Sequence, residues 1–373
     1  MTLFPGPCHL WGPPPMKPPA DPTVTRPQTP GPAIIYLRYT TPWFGNQSGY
    51  ERLPRYISGG YDPLVIDPKP GILPRLRGKL FSFRHGIGHA PQAVIDAIRR
   101  FVSAMRSSPG AVGHVLYGEH ILPYVDAIPE SMLGRLIWTF HQPYSLWNPT
   151  ELKALGRVRS SIFLYKQEEH LFRAHLPSAP HFIPYGVNCD FFRPGPGPEA
   201  GQRVLYAGVH LRDVHMVAAT VALCWKRNPN LRFSFLVPTH RRSDAGFEPL
   251  LQDPRISWLA GLGDEALVRL YQTSSLLYLP LINSSSNTAV VESLGCGLPI
   301  VTTDVGGIRD YGGGEIHRLV RAGDAEAAAG EILALQDDLE ERRRIGIAAR
   351  AFAEKRLHWP IVAAAHERVY FPS

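Results

Sequence analysis

Residues 284–307 read SSSNTAVVESLGCGLPIVTTDVGG, and this stretch decides how the chain is understood. A loop rich in Ser, Asn and Thr opens a short helix that carries one acid, Glu292. Glycines at 295 and 297 end that helix. The β-branched run from Pro299 to Thr303 predicts a strand, and a second loop follows with Gly306 and Gly307. Ser286 or Asn287 suits the N-cap. The loop therefore leaves backbone N–H groups near Asn287 and Thr288 at the positive end of a helix, where a phosphate can bind. Glu292 lies four residues after Thr288, on the same helix face. Its side chain leans toward the helix N-terminus, so the carboxylate can accept from sugar hydroxyls beside that phosphate. A diphosphate next to a ribose is one end of a nucleotide.

The surrounding chain alternates short apolar runs with helical patterns. AIIYL, PLVID, HVLYG, LIWTF, SIFLY and HFIPY read as buried strands before residue 190, and VLYAGV, FSFLVP, ISWLA, SLLYLPL and PIVTTD after it. Between them, Pro91 to Arg106 places Val94, Ile98, Phe101 and Met105 at helical spacing, a stripe suited to core packing. The arginines on its other faces leave peripheral membrane contact as the alternative. Such alternation on both sides of a Pro/Gly-rich break at Arg193 to Gln202 predicts an α/β protein of two Rossmann-like domains with parallel sheets. The expected divisions are a proline-dense, disordered tail at 1–32, a first domain at 33–195, a second at 196–355, and a terminal helical segment at 356–373.

Composition supports a soluble enzyme. The chain has 373 residues, 19% charged and 44% hydrophobic, enough for two sizeable cores. No apolar run reaches the length of a membrane span, and the first residues lack the pattern of a signal peptide. The four cysteines form no CxxC pair, which disfavours a disulfide framework or a zinc site. A cytoplasmic location is expected, with peripheral contact at the inner membrane face left open. The net charge of +7 reflects either a solvated surface or an affinity for anionic partners. Nucleic acid is disfavoured, since no basic-aromatic module is present.

The run from Asn287 to Gly307 resembles the donor-binding signature of retaining glycosyltransferase family 4, also called glycosyl transferases group 1, which has the GT-B fold. Glu292 matches the glutamate that typically binds the nucleotide ribose in that family. Eight positions earlier, where the family has a second glutamate touching the donor sugar, stands Ser284. IPYGVNCDFFRP, residues 183–194, is similar to the segment that closes the first domain in the family. The C-terminal run HWPIVAAAHERVY suits the family's helix that crosses back onto the first domain. The fold implied is GT-B, two Rossmann-like domains facing a central cleft.

The resemblance also implies site residues. Gly45, Ser48 and Gly49 follow the first strand, where the family has a Gly-rich turn near the donor phosphate. His141 ends the strand LIWTF within TFHQ, and the family's histidine in a comparable segment meets the donor sugar. His114, Glu119 and His120 share that neighbourhood, with strand-end packing as the plainer account. After VLYAG the family places an Arg and a Lys for the leaving diphosphate. This chain has Val209 and Val214 there, and Arg212 is the nearest cation, unless it pairs with Asp213. HGIGH, residues 85–89, lacks the third glycine of a dinucleotide fingerprint and reads as a turn. Catalytic roles thus fall to His141 and Arg212. Donor binding falls to Gly49, Ser286, Asn287, Thr288, Glu292, Gly306 and Gly307.

These readings imply transfer of a sugar from a nucleotide-diphosphate sugar to an acceptor hydroxyl, with retention, in glycan or polysaccharide biosynthesis. No cofactor and no bound metal are expected. The alternatives are a nucleotide-sugar epimerase or hydrolase on the same scaffold, and a non-catalytic binding or scaffold protein.

Overall fold

The computed structural model describes residues 34–38, 45–57, 63–68, 92–195 and 203–372, together with Leu76 and Leu80. The tail at 1–32 and the HGIGH turn lie outside the described residues, as does the Pro/Gly-rich linker beyond Gly195. The first sheet comprises β1 (Ile34–Leu37), β2 (Pro63–Ile66), β3 (Val112–Val115), β4 (Leu136–Phe140), β5 (Ser160–Phe163) and β6 (His181–Phe182). The second comprises β7 (Arg203–Ala207), β8 (Arg232–Leu236), β9 (Ile256–Leu259), β10 (Leu276–Leu279), β11 (Ile300–Thr303) and β12 (His317–Val320). Their orders are β2-β1-β3-β4-β5-β6 and β12-β11-β10-β7-β8-β9, and the strand pairs are parallel. Every residue of β1, β4, β10 and β11 is buried. That is why these strands are continuous apolar runs rather than alternating ones.

Helices cover the sheets as their patterns require. α1 (Gln92–Ser107) buries Val94, Ile98, Phe101 and Met105, while Arg99 and Arg100 reach back to Asp96. In the second half α2 (Val214–Arg227) and α3 (Asp264–Thr273) precede the signature helix α4 (Thr288–Cys296). Gly297 adopts φ 66°, a left-handed C-cap that ends α4 as its glycine predicts. α5 (Ala325–Asp337) and α6 (Leu339–Phe352) lead through a π-helical turn at Ala353–Leu357 into α7 (Trp359–Tyr370). Among the described residues no helix is long and apolar enough to cross a membrane.

The chain passes between the halves twice, and the passages are tied together. Val187 N–H donates to Leu357 O (2.8 Å), and Trp359 N–H donates to Val187 O (3.1 Å). Arg350 Nη1 donates to the carbonyls of Cys189 (2.9 Å), Phe192 (2.7 Å) and Gly295 (2.6 Å). One guanidinium thus binds the end of the first half to the end of α4.

α7 completes the first half's core through a buried polar chain whose direction is fixed. His366 Nδ1–H can only donate to Val362 O (2.7 Å), so Nε2 accepts from Tyr50 OH (2.5 Å). Tyr50 then accepts from the Thr139 hydroxyl (3.2 Å), which accepts from His114 Nε2–H (2.8 Å). His114 Nδ1 accepts from Tyr370 OH (2.6 Å), and Tyr36 OH donates to Tyr370 (3.4 Å). Each hydroxyl between the ends gives one hydrogen bond and takes one, which requires both rings to be neutral.

Burial holds His366 at about 4 and His114 well below 6.5. Burial acts the same way on His317 (about 4) and His141 (about 3). The unfolded chain protonates these rings near 6.5 and the folded chain does not, so stability is full above that pH and falls as pH drops toward 4. Burial raises Glu119 (about 8) and Glu292 (about 7), which acts in the opposite direction. The four rings outnumber the two carboxyls. The expected loss is about 1–3 kcal/mol per pH unit between 6.5 and 4.5, read from urea unfolding. A flat profile would remove the neutral-ring assignment.

Candidate functional site

The loop after β10 is anchored before α4 begins. Leu281 N–H donates to Thr303 Oγ1, which donates back to Leu281 O, each at 2.7 Å. Asn287 is the N-cap: its backbone is extended, and its side chain accepts from Ala289 N–H (3.1 Å). Val290 and Val291 N–H both donate to Asn287 O (3.1 Å each). The N–H groups of Asn287 and Thr288 have no acceptor among the described residues. The hydroxyls of Ser286 and Thr288 lie beside the phenols of Tyr311 and Tyr185, respectively.

Arg212 stands beside this helix start. Its Nη2 donates to Asn287 Oδ1 (3.4 Å), Nε to Ala207 O (3.1 Å) and Nη1 to His210 O (2.8 Å). No carboxylate pairs with it among the described residues. Asp213, the neighbour that could have neutralised it, caps α2 by accepting from Met216 N–H (2.9 Å). Leu211 adopts φ 54°, the one non-glycine residue described with positive φ. Such a backbone costs about 1–2 kcal/mol and marks a turn held by its surroundings. Here the holding bonds are Ile282 N–H to Leu211 O (3.0 Å) and Asp213 N–H to Pro280 O (3.1 Å). The turn folds Arg212 back over Gly208, where an added Cβ would lie 3.1 Å from the guanidinium. A half-buried cation at the positive end of a helix, with no acid against it among the described residues, is an arrangement that attracts an anion.

Glu292 follows one turn into α4 and is 4% exposed. Tyr271 OH of α3 donates to its Oε2 (2.8 Å), and Ser48 Oγ of the first half donates to Oε1. Among the described residues it makes no salt bridge. Burial pushes the carboxyl up to about 7, against these two hydrogen bonds. The acid therefore faces the seam between the two halves, with one partner from each.

Across the seam, His141 follows β4 at the C-terminal edge of the first sheet. Its Nε2–H donates to Leu116 O (2.7 Å), which leaves Nδ1 as an acceptor. The ring stacks on Tyr117 (4.4 Å between centroids) and meets the edge of Tyr50. Burial lowers it to about 3, so it is neutral and acts as neither cation nor acid. Its carbonyl accepts from Ser285 Oγ, and its N–H donates to Glu119 Oε2 (3.3 Å). Glu119 is half-buried and His120 exposed, whereas His114 is wholly buried in the polar chain. Gly49, at φ 99°, precedes a 3-10 turn at Tyr50–Arg55 rather than a full helix, since Pro54 interrupts it. The two glycines after β11 are explained by packing between loops. Gly307 N–H donates to Ser284 O (2.7 Å), and a Cβ on Gly306 would overlap that same carbonyl.

The structure thus gathers Gly49, His141, Arg212, Ser286, Asn287, Thr288 and Glu292 around one seam. Tyr271, Tyr185 and Tyr117 join them with no sequence signal to announce them.

Residues 201–338 match the family model described as Glycosyl transferases group 1. Over these residues the chain is similar to glycosyl transferases group 1. A D-inositol 3-phosphate glycosyltransferase from Streptomyces scabiei is 27% identical over 212 residues, covering 50% of this chain and 47% of the relative. A phosphatidyl-myo-inositol mannosyltransferase from Mycobacterium leprae is 30% identical over 204 residues, covering 50% and 52%. The chain spans about half the length of the curated relatives it matches. Among solved structures, a sucrose-phosphate synthase from Thermosynechococcus elongatus superposes with a TM-score of 0.68 at 15% identity, over 91% of this chain and 98% of the other. Anabaena HepE in complex with UDP-glucose does so with a TM-score of 0.68 at 15% identity, over 90% and 98%. These likenesses establish the fold as GT-B, with two six-stranded parallel sheets facing each other across the seam.

Replacing Tyr271 with Phe removes one donor to the ionised form of Glu292. Its carboxyl should then titrate above the native value of about 7, as read from the carboxyl carbon shift of labelled glutamate. An unchanged or lower value would show that Tyr271 does not stabilise the ionised form.

Proposed function

We propose that the protein transfers a sugar from a nucleotide-diphosphate sugar to an acceptor hydroxyl. The observation that carries this reading is the unpaired Arg212 guanidinium at the start of α4, one turn from the buried carboxylate of Glu292. A diphosphate placed against Arg212 and the N–H groups of Asn287 and Thr288 puts its attached ribose within reach of Glu292. The group 1 match to the second half and the GT-B fold support the same reading.

In the reaction the bond between the sugar's anomeric carbon and the diphosphate oxygen breaks, and a bond to the acceptor oxygen forms. The acceptor's proton leaves with the departing phosphate. Negative charge grows on the diphosphate as the sugar acquires oxocarbenium character. Donors already fixed around that charge lower the barrier without reorganising. Arg212 and the α4 dipole fill this role in our reading, and Glu292 sets the register of the nucleotide. His141 contributes a neutral acceptor nitrogen for a sugar hydroxyl, held in place by Leu116 O and Ser285 Oγ. We further propose retention of configuration. The names of the two curated relatives contain phosphate-bearing inositols, which favours an anionic acceptor for this chain as well.

Two outcomes follow. Arg212→Ala should lower kcat more than donor affinity, because its interaction strengthens with the developing charge; equal loss in both would make it a plain binding residue. Nucleotide affinity should rise as pH increases through about 7, where Glu292 ionises and becomes a better acceptor of ribose hydroxyls. Glu292→Gln should flatten that dependence and weaken binding by about 1.5–3 kcal/mol, measured by calorimetry against UDP, GDP and ADP. Unchanged affinity would remove Glu292 from the nucleotide site.

A further inference from the structure

Two residues of the first half reach across the seam, and the one between them reaches the crossing. Asn46 N–H donates to Asp264 Oδ2 at the start of α3 (2.8 Å). Gln47 Oε1 accepts from Asn188 Nδ2 at the crossing between the halves (2.7 Å). Ser48 Oγ donates to Glu292 Oε1. The loop that carries them is braced from within its own half. Arg52 donates to Gly45 O (2.7 Å) and Ser48 O (3.2 Å), and Arg55 donates to Asn46 O (3.1 Å). A Cβ at Gly45 would overlap the Asp264 carboxylate, so a larger residue there would displace that acid from the Asn46 N–H. The loop's carbonyls are thus held by its own arginines, while Asn46 N–H and the Gln47 and Ser48 side chains reach the second half and the crossing.

The Ser48 contact has the largest consequence. Glu292 has two oxygens; Tyr271, from the same half, is bonded to one and Ser48 to the other. A carboxylate oxygen can accept more than one hydrogen bond, so the obstacle is access: Glu292 is 4% exposed and Ser48 5%, which leaves a ribose hydroxyl no open approach while the two are in contact. We infer that residues 45–49 form a strap that holds the seam shut by covering Glu292, and that nucleotide entry requires the strap to lift. The inference rests on the reading of Glu292 as the ribose acid. Strap and nucleotide compete for the approach to one buried carboxylate, so nucleotide affinity is reduced by the fraction of molecules with the strap seated.

The test separates the strap from the site it covers. Ser48→Ala and Asp264→Ala each remove one hook, and calorimetry with UDP, GDP and ADP compares them with the native chain. The strap predicts tighter binding, by roughly tenfold where the seated form dominates. It also predicts faster hydrogen exchange at the Asn46 amide in Ser48→Ala. Weaker or equal binding in both variants, with the native chain binding measurably, overturns the strap. If no chain binds any of the three nucleotides, the assignment of Glu292 fails instead. Amide exchange then judges the strap by itself: faster exchange at Asn46 in Ser48→Ala supports it, and unchanged exchange overturns it.

Discussion

The site depends on how the chain is knotted where it passes between its two halves. Val187 is hydrogen-bonded on both sides to the return segment at Leu357 and Trp359, and Arg350 gathers three carbonyls from the crossing and from the end of α4. These bonds fix which edge of the first sheet looks at which edge of the second. Because parallel strands present their C-terminal ends together, the loops after β1 and β4 meet those after β7 and β10. Without that registration, His141 would lie on a separate surface from Arg212 and Glu292.

Charge is distributed across the seam in an unusual way. Ion pairs are plentiful elsewhere on the molecule, as at Arg157 with Asp126 and Glu130, or Arg318 with Glu341. At the seam Arg212, half-buried, and Glu292, buried, are each met by neutral partners only among the described residues. Taking a charge out of water without an opposite charge beside it costs free energy. A fold optimised for stability alone would let Arg212 meet Asp213, yet Asp213 is turned away to cap a helix. The strain at Leu211 has the same character. Stability has been surrendered at one place, and the place is where a charged ligand would be received.

Much of the fold was legible because its signals are local. Continuous apolar runs such as LIWTF and SLLYLPL can only be strands buried on both faces, and Asn287 before an apolar turn announces a helix start. What the sequence concealed was non-local. HFIPY reads as a full strand, but only His181 and Phe182 pair, because Tyr185 N–H turns away to Tyr311 OH of the second half (2.9 Å). Ser48 and Glu292 are 244 residues apart, and no periodicity links them. Gly306 and Gly307, read as a ligand loop, also seat the Ser284 loop, a contact no local pattern announces. The histidines were visible as candidates, but only partners could separate His141, at the seam, from His114, sealed in a core.

The buried chain from Tyr36 to His366 also bears on how the protein comes into being. Its partners are separated by 334 residues at Tyr36–Tyr370 and 316 at Tyr50–His366, nearly the full length of the polypeptide. A ribosome delivers β1 long before α7, so the first half emerges with these interior polar groups still lacking their partners. That half's core is completed only when α7 is made.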